Sequence, residues 1–495
     1  MSYILLKSYR ALTGGLCLLG LFCCQPARQS SRRPQAVAEA GRLFEQGEFT
    51  RASLLIDSLR QTGGISDAES SGLDSISDWM GRIRRDFSRD GQSVREQLSP
   101  YYHPLDDSVM LAWERSGKLE MRLIDGQKRY FSNAVPNLFR LDSAAGRRKQ
   151  ELDGYAVDSL SVFRLRHLDE VIKLTQKQDS ASLFQPVYPV RMTLTYTVRL
   201  HADAVPGGEL VSCWMPFPRE GHPRQKKIRL LSAIPDSFRV APADYLQRTV
   251  FLQKRAVKGE PTVFQIRFSV ETAAQYFALE PEMIQPYKTP RASYRTFTHQ
   301  RLPHLVFTPE IRKLARLIVG EETNPLLKVD KIYRWINDSI PWASALEYGI
   351  IPQIPAYVLK NGHGDCGMQT LLFMSLARAE GIPVKWQSGW MLHPGHVNLH
   401  DWCEVFYEGI GWVPVDQSFK LQGSHDKQIR EFYMHGIDAY RLIVNDDYAR
   451  ELYPPKKYRR SEPYDFQRGE LEWNGGNLYF DKWSWDMKVV YHPDT

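Results

Sequence analysis

A chain of 495 residues is longer than one hydrophobic core usually serves, and at roughly 100–200 residues per domain it should hold about three. Its 43% hydrophobic, 12% aromatic and 24% charged residues supply enough apolar mass for packed cores and exclude wholesale disorder. A formal net charge of +7, part of it from Lys7 and Arg10 near the N-terminus, is too mild to imply a nucleic-acid partner.

Lys7 and Arg10 precede an apolar run from Ala11 to Cys24 that suits a signal peptide rather than a membrane span, and no later segment is long and apolar enough to span. The run ends Leu21-Phe22-Cys23-Cys24, and a polar stretch follows from Gln25 to Arg33. This resembles a bacterial lipoprotein signal with Cys24 as the lipidated residue, although such signals prefer a small residue where Cys23 stands. The resemblance implies an exported protein of the cell envelope, tied to a membrane by an N-terminal lipid. Gln25, in place of an aspartate, is similar to signals for the outer membrane, where the chain would face the periplasm. Cys213, Cys366 and Cys403 remain for the folded part, an odd number that argues against a disulfide framework.

From residue 25 to 185 a mainly helical module is expected. Ala52, Leu55, Ile56 and Leu59 fall at helical spacing, and Leu73, Ile76, Met80, Ile83 and Phe87 continue a similar stripe. Between Met110 and Leu174 the pattern is mixed, with short strands and helices. Met192, Leu194, Tyr196, Val198 and Leu200 alternate with polar residues, and so do Phe264, Ile266, Phe268 and Val270, with turn signals between them. That is the pattern of an antiparallel β-sandwich over 186–290. A helix is predicted at 308–320, with Thr308 as cap, Pro309 at its first position and Gly320 as its stop; another opens at Asn324-Pro325 and ends before Pro341.

Gly364-Asp365-Cys366-Gly367 then precedes an apolar helix closed by Gly381 and Pro383. A cysteine at a helix N-terminus meets unpaired N–H groups and the positive end of the macrodipole, which favour the nucleophilic thiolate. His400-Asp401-Trp402-Cys403-Glu404-Val405 and Gly411-Trp412-Val413-Pro414-Val415-Asp416 read as two strands joined by a glycine turn. Such a hairpin can set His400 beside Asp416, as a base needs its orienting acid.

These three segments, in this order, resemble the core motifs of the transglutaminase-like superfamily. The resemblance implies a papain-like cysteine core over 300–425, with Cys366 as nucleophile, His400 as base and Asp416 as its orienter. Asp401 replaces the small residue common after the histidine, and Gln417-Ser418 stands where the family often has Pro-Thr. The backbone N–H of Cys366 is the natural first oxyanion donor, and Trp342 resembles an upstream aromatic position whose indole N–H would supply a second. Residues 426–495, rich in aromatics around Gly475-Gly476, are expected to pack on the core as a C-terminal extension.

The whole is thus a multidomain α+β chain: helical module, β-sandwich and papain-like transglutaminase core. Its expected chemistry is acyl transfer or hydrolysis at amides of a peptide-like or cell-wall substrate through a thioester, without a cofactor or metal. Two rivals stand beside it. One is a catalytically silent envelope scaffold or binding lipoprotein. The other is a metal site read from His393, His396 and His400, with His363 also near in sequence; strand-like flanks and a glycine spoil the shared helical face it needs.

Overall fold

The computed structural model describes residues 32–155, 158–179 and 182–492, so Cys24 and the leader lie outside the described residues. Among the described residues no helix is long and apolar enough to cross a membrane. The chain forms two compact units, one running to Gly154 and taking in Ile350–Pro352, the other holding Tyr155–Gly349 and Gln353 onward.

The first unit opens with the helices Arg32–Glu45, Phe49–Thr62 and Asp67–Asp86. Ala52, Ile56 and Leu59 are buried from the second, and Leu73, Met80 and Ile83 from the third. Ser66 caps the third helix by accepting from Glu69 N, while the Glu69 carboxylate accepts from Ser66 N. A hairpin, Met121–Ile124 with Gln127–Tyr130, turns on Asp125 and Gly126, both at positive φ as a tight two-residue turn requires. The unit closes at Gly154, short of the boundary at 185 expected for the helical module. The helix Ser159–Gln176 instead belongs with the second unit, where Arg164 Nε donates to Gln422 Oε1 at 2.7 Å and Ala439 N donates to His167 Nε2 at 3.2 Å. Its polar flanks gave no sequence signal of that attachment.

The second unit contains two five-stranded antiparallel sheets and one of four strands. In the first, Thr262–Tyr276 pairs with Val187–Leu200, placing Leu194 opposite Phe268 and Val198 opposite Phe264. These apolar side chains are 0% exposed, as the alternation dictates. The second sheet is built around Leu210–Pro216 paired with Thr249–Arg255. The C-terminal segment does more than pack on the core, because it adds strands to both sheets: Trp483–His492 runs beside Val187–Leu200, and Glu470–Trp473 beside Leu210–Pro216.

The four-stranded sheet carries the order Gly411–Val415, His396–Tyr407, Val384–His393, Arg441–Asn445. Trp390 packs it onto the first five-stranded sheet, its ring stacked on Tyr196 at 4.9 Å and its indole N–H donating to Gln467 O at 2.9 Å. The predicted helix at 308–320 spans Pro309–Val319; Thr308 accepts from Ile311 N, and Gly320 takes the left-handed φ of 62° that ends it. The next helix, Pro325–Ser339, buries Leu326, Val329, Ile332, Tyr333 and Ile336.

Candidate active site

The helix Cys366–Ala379 begins at the cysteine and is buried from Gly367 to Arg378, so it is enclosed on every side instead of along one stripe. Asp365 caps it, Oδ1 accepting from Met368 N at 3.0 Å and from the Tyr348 hydroxyl at 2.5 Å. Thr370 Oγ1 donates to Cys366 O at 2.7 Å, fixing the first turn. Cys366 is partly exposed, whereas Cys213 and Cys403 are buried.

His400 lies within the twelve-residue strand His396–Tyr407, which starts earlier than its sequence suggests. The neighbouring strand Gly411–Val415 delivers Asp416 from its end, and His400 Nε2 lies 2.7 Å from Asp416 Oδ2. The His400 side chain is 7% exposed and that of Asp416 fully buried. The other Asp416 oxygen accepts from Ser418 Oγ at 3.0 Å and Phe419 N at 3.3 Å, so the carboxylate is held at both ends.

Arg441, from the far edge of the sheet, completes this side. Its Nη1 lies 3.2 Å from Asp416 Oδ2 and its Nε 3.0 Å from Asp438 Oδ2, with the guanidinium 4.0 Å above the Phe419 ring. Burial works against ionised Asp416, but the charges of His400 and Arg441 outweigh it and hold the carboxyl below its ordinary range. Burial pushes the His400 imidazole down; Asp416 pulls against that and Arg441 reinforces it. The imidazole is therefore neutral at neutral pH. With Nε2–H donating to Asp416, Nδ1 is the basic nitrogen.

The sulfur has a different neighbour. Cys366 Sγ donates to Asp401 Oδ2 at 3.3 Å. Side chains alternate along a strand, so Asp401 and His400 turn to opposite faces of the sheet. The structure thus joins His400 to Asp416 and sets Cys366 against Asp401. Burial, followed by the charges of Asp401 and Asp365, pushes the Cys366 thiol well above its ordinary value. Burial, with the two carboxyl groups added to it, overrides the effect expected of the helix N-terminus. In the sequence Asp401 stands out only as a departure from the family pattern. Its contact with sulfur, like that of Arg441 with Asp416, depends on long-range packing that the local pattern does not carry.

Trp342 forms a parallel bridge with Gly364, and Ala343 N donates to Gly364 O at 3.3 Å. The tryptophan is thereby tied to the loop that leads into Cys366, and it is 38% exposed. The four histidines considered for a metal do not converge: His393 is buried on Asp438, His396 is exposed, His400 is held by Asp416, and His363 packs edge-on to Tyr357. Cys403 donates to Val415 O at 3.6 Å inside the sheet.

Residues 312–417 match the family model of the transglutaminase-like superfamily core. A Haemophilus influenzae protein described only as uncharacterized is 25% identical over 287 residues, which is 49% of this chain and 75% of that one. Among solved structures, a candidate cysteine protease from Cytophaga hutchinsonii superposes with a TM-score of 0.43 at 15% identity, over 62% of this chain and 92% of that one. The periplasmic domain of TgpA from Pseudomonas aeruginosa gives 0.25 at 15% identity, over 46% and 88%.

Proposed function

We propose that the transglutaminase-like core at 312–417 gives this protein a cysteine-dependent acyl-transfer or hydrolytic activity at amide bonds, with Cys366 as nucleophile and His400 and Asp416 as its base and orienter. The observation that carries the reading is the buried 2.7 Å contact between His400 Nε2 and Asp416 Oδ2, which leaves Nδ1 of a neutral imidazole basic. In the proposed reaction Cys366 Sγ bonds to the acyl carbon, and its proton passes through His400 to the leaving nitrogen as the C–N bond breaks. Water or an amine then releases the acyl group from the thioester and returns a proton to sulfur. The Cys366 N–H and the Trp342 indole are the proposed oxyanion donors. Engagement with His400 requires Sγ to leave the Asp401 carboxylate.

The proposed substrates are peptide-like or cell-wall amides, met in the periplasm by a chain anchored through Cys24. A Cys24 anchor predicts a lipid-modified N-terminal peptide in mass spectrometry of envelope-derived protein. The reaction is tested by incubating the protein with peptides or peptidoglycan and searching for an acyl mass on Cys366. The adduct should form in the wild type, be absent in Cys366→Ala and be lost in His400→Ala. Absence of both adduct and released amine over the whole substrate panel would remove the enzymatic reading. It would leave the second one, a catalytically silent envelope scaffold, which the contact between Cys366 and Asp401 favours because that contact keeps the thiol protonated.

A further inference from the structure

Asp401 has no part in the reaction just described, yet it is the hydrogen-bond partner of the reacting atom. Its Oδ2 accepts from Cys366 Sγ at 3.3 Å, and its Oδ1 is pinned by Gln467 Nε2 at 2.7 Å. Gln467 donates through the same nitrogen to His400 O at 2.8 Å and is itself buried, so the carboxylate is built in and cannot swing freely. The first turn of the cysteine helix is shaped to admit it. A Cβ added at Gly367 would collide with the Tyr348 hydroxyl and lie 2.7 Å from Asp401 Oδ2. Gly367 is not among the residues at positive φ, so glycine is there to make room and not to bend the backbone.

Resting on the reading of Cys366 as nucleophile, we propose that Asp401 is a positioning residue that restrains it: the carboxylate seats Sγ away from the His400 imidazole and holds it as a thiol until that contact is broken. The groups around Asp401 set how readily it takes up a proton. Asp365 comes from the loop before the helix, Glu347 and Tyr348 from the segment ahead of it, and Glu462, Asp465 and Arg468 from the stretch before the strand Glu470–Trp473, while His400 adjoins it in the chain. Arg468 is engaged elsewhere, its Nη1 and Nη2 donating to the two Glu347 oxygens at 2.8 Å and its Nε to Glu462 Oε1 at 2.7 Å. Burial, then Asp465 and Asp365, push the Asp401 carboxyl up. A proton on Asp401 removes the like charge beside sulfur and so releases the restraint, whereas ionised Asp401 applies it.

The test uses iodoacetamide on the full chain, in which a bond forms from Sγ to carbon, iodide leaves and the thiol proton goes to solvent. Labelling of Cys366 is followed by peptide mass spectrometry across a pH series. Asp401→Asn removes the charge and keeps the size; Asp401→Ala restores the small residue of the family pattern. Both should label ~10-fold faster or more in the pH range where wild-type Asp401 is ionised, with the midpoint of the rate profile displaced to lower pH, since one pKa unit is a tenfold change in thiolate. Unchanged or slower labelling overturns the proposal, and so does a faster rate with an unmoved midpoint, which reports access alone. If Asp401→Ala fails to fold, Asp401→Asn carries the comparison. His400→Ala separates this proposal from the reading beneath it. Labelling that depends on His400 but not on Asp401 sinks the restraint alone; faster labelling in both Asp401 variants with no effect of His400→Ala sinks the proposed base and leaves the restraint. A Cys366 inert in every folded variant sinks both.

Discussion

Consecutive residues of one strand face two buried environments with opposite electrostatics. On the His400 side, Asp416 and Asp438 share the guanidinium of Arg441 and are both held below the ordinary carboxyl range. On the Asp401 side, Asp401 is buried, Asp365 and Asp465 are half-buried, and all three are pushed up. Burial raises every one of these groups; the sign of the outcome is set by whether a cation is bound directly. One side of the strand is therefore arranged to keep charge, and the other to give it up.

The largest effect is expected from removing the cation. Arg441→Met should leave Asp416 and Asp438 buried without their partner and destabilise the protein by about 3–5 kcal/mol, read as a lowered urea midpoint at neutral pH. The loss should shrink in acid as the two carboxyls take up protons. A loss below about 1 kcal/mol would mean that Arg441 does not distinguish the two sides, and the comparison would fail.

That comparison was only half visible in the sequence. Motif order and strand alternation point to Cys366, His400 and Asp416, and the caps Thr308 and Asp365 mark where helices begin, because all of these are local signals. Arg441 carries no such mark. It reaches Asp416 from a strand that joins the sheet at its far edge, and nothing in the surrounding residues reports that pairing. The tail is a similar case: Met487 and Val489 alternate with charged residues in a manner legible as a strand, but their partners, Tyr196 and Leu194, lie hundreds of residues earlier. Asp401 was visible as a departure from a pattern, but its meaning depended on Gly367 making room for it.

A pH series sharpens the contrast, because the two sides should respond with opposite signs. Asp365 is raised to about 6 from the ordinary 3.8, chiefly by burial. Its favourable contribution is thus fully present below the unfolded value and lost as pH rises through about 6. Asp365→Asn keeps an oxygen for the cap and should gain about 3 kcal/mol on the wild type between those limits, or less if water reaches the site. Asp416 is lowered, so its contribution is present above the unfolded value and lost as pH falls through the folded one. The deficit of Asp416→Asn should accordingly narrow in acid. Urea midpoints of both variants against the wild type, moving in the same direction with pH, would break the contrast.

The smallest effect concerns how tightly the acidic side is packed. Gly367→Ala gains helix propensity of up to about 1 kcal/mol, since the residue sits in the first turn at an ordinary φ. Against that, the new methyl must displace the Tyr348 hydroxyl and the Asp401 carboxylate, an overpacking penalty of about 1–3 kcal/mol. The net result should be a loss of about 1 kcal/mol, seen as a small fall in the urea midpoint. The same shift moves Asp401 off Cys366 Sγ, so iodoacetamide should label Cys366 faster in Gly367→Ala even though the substitution adds bulk beside the sulfur. A more stable variant with unchanged labelling would show that the carboxylate is not pressed against the helix, and that the acidic side is looser than its burial implies.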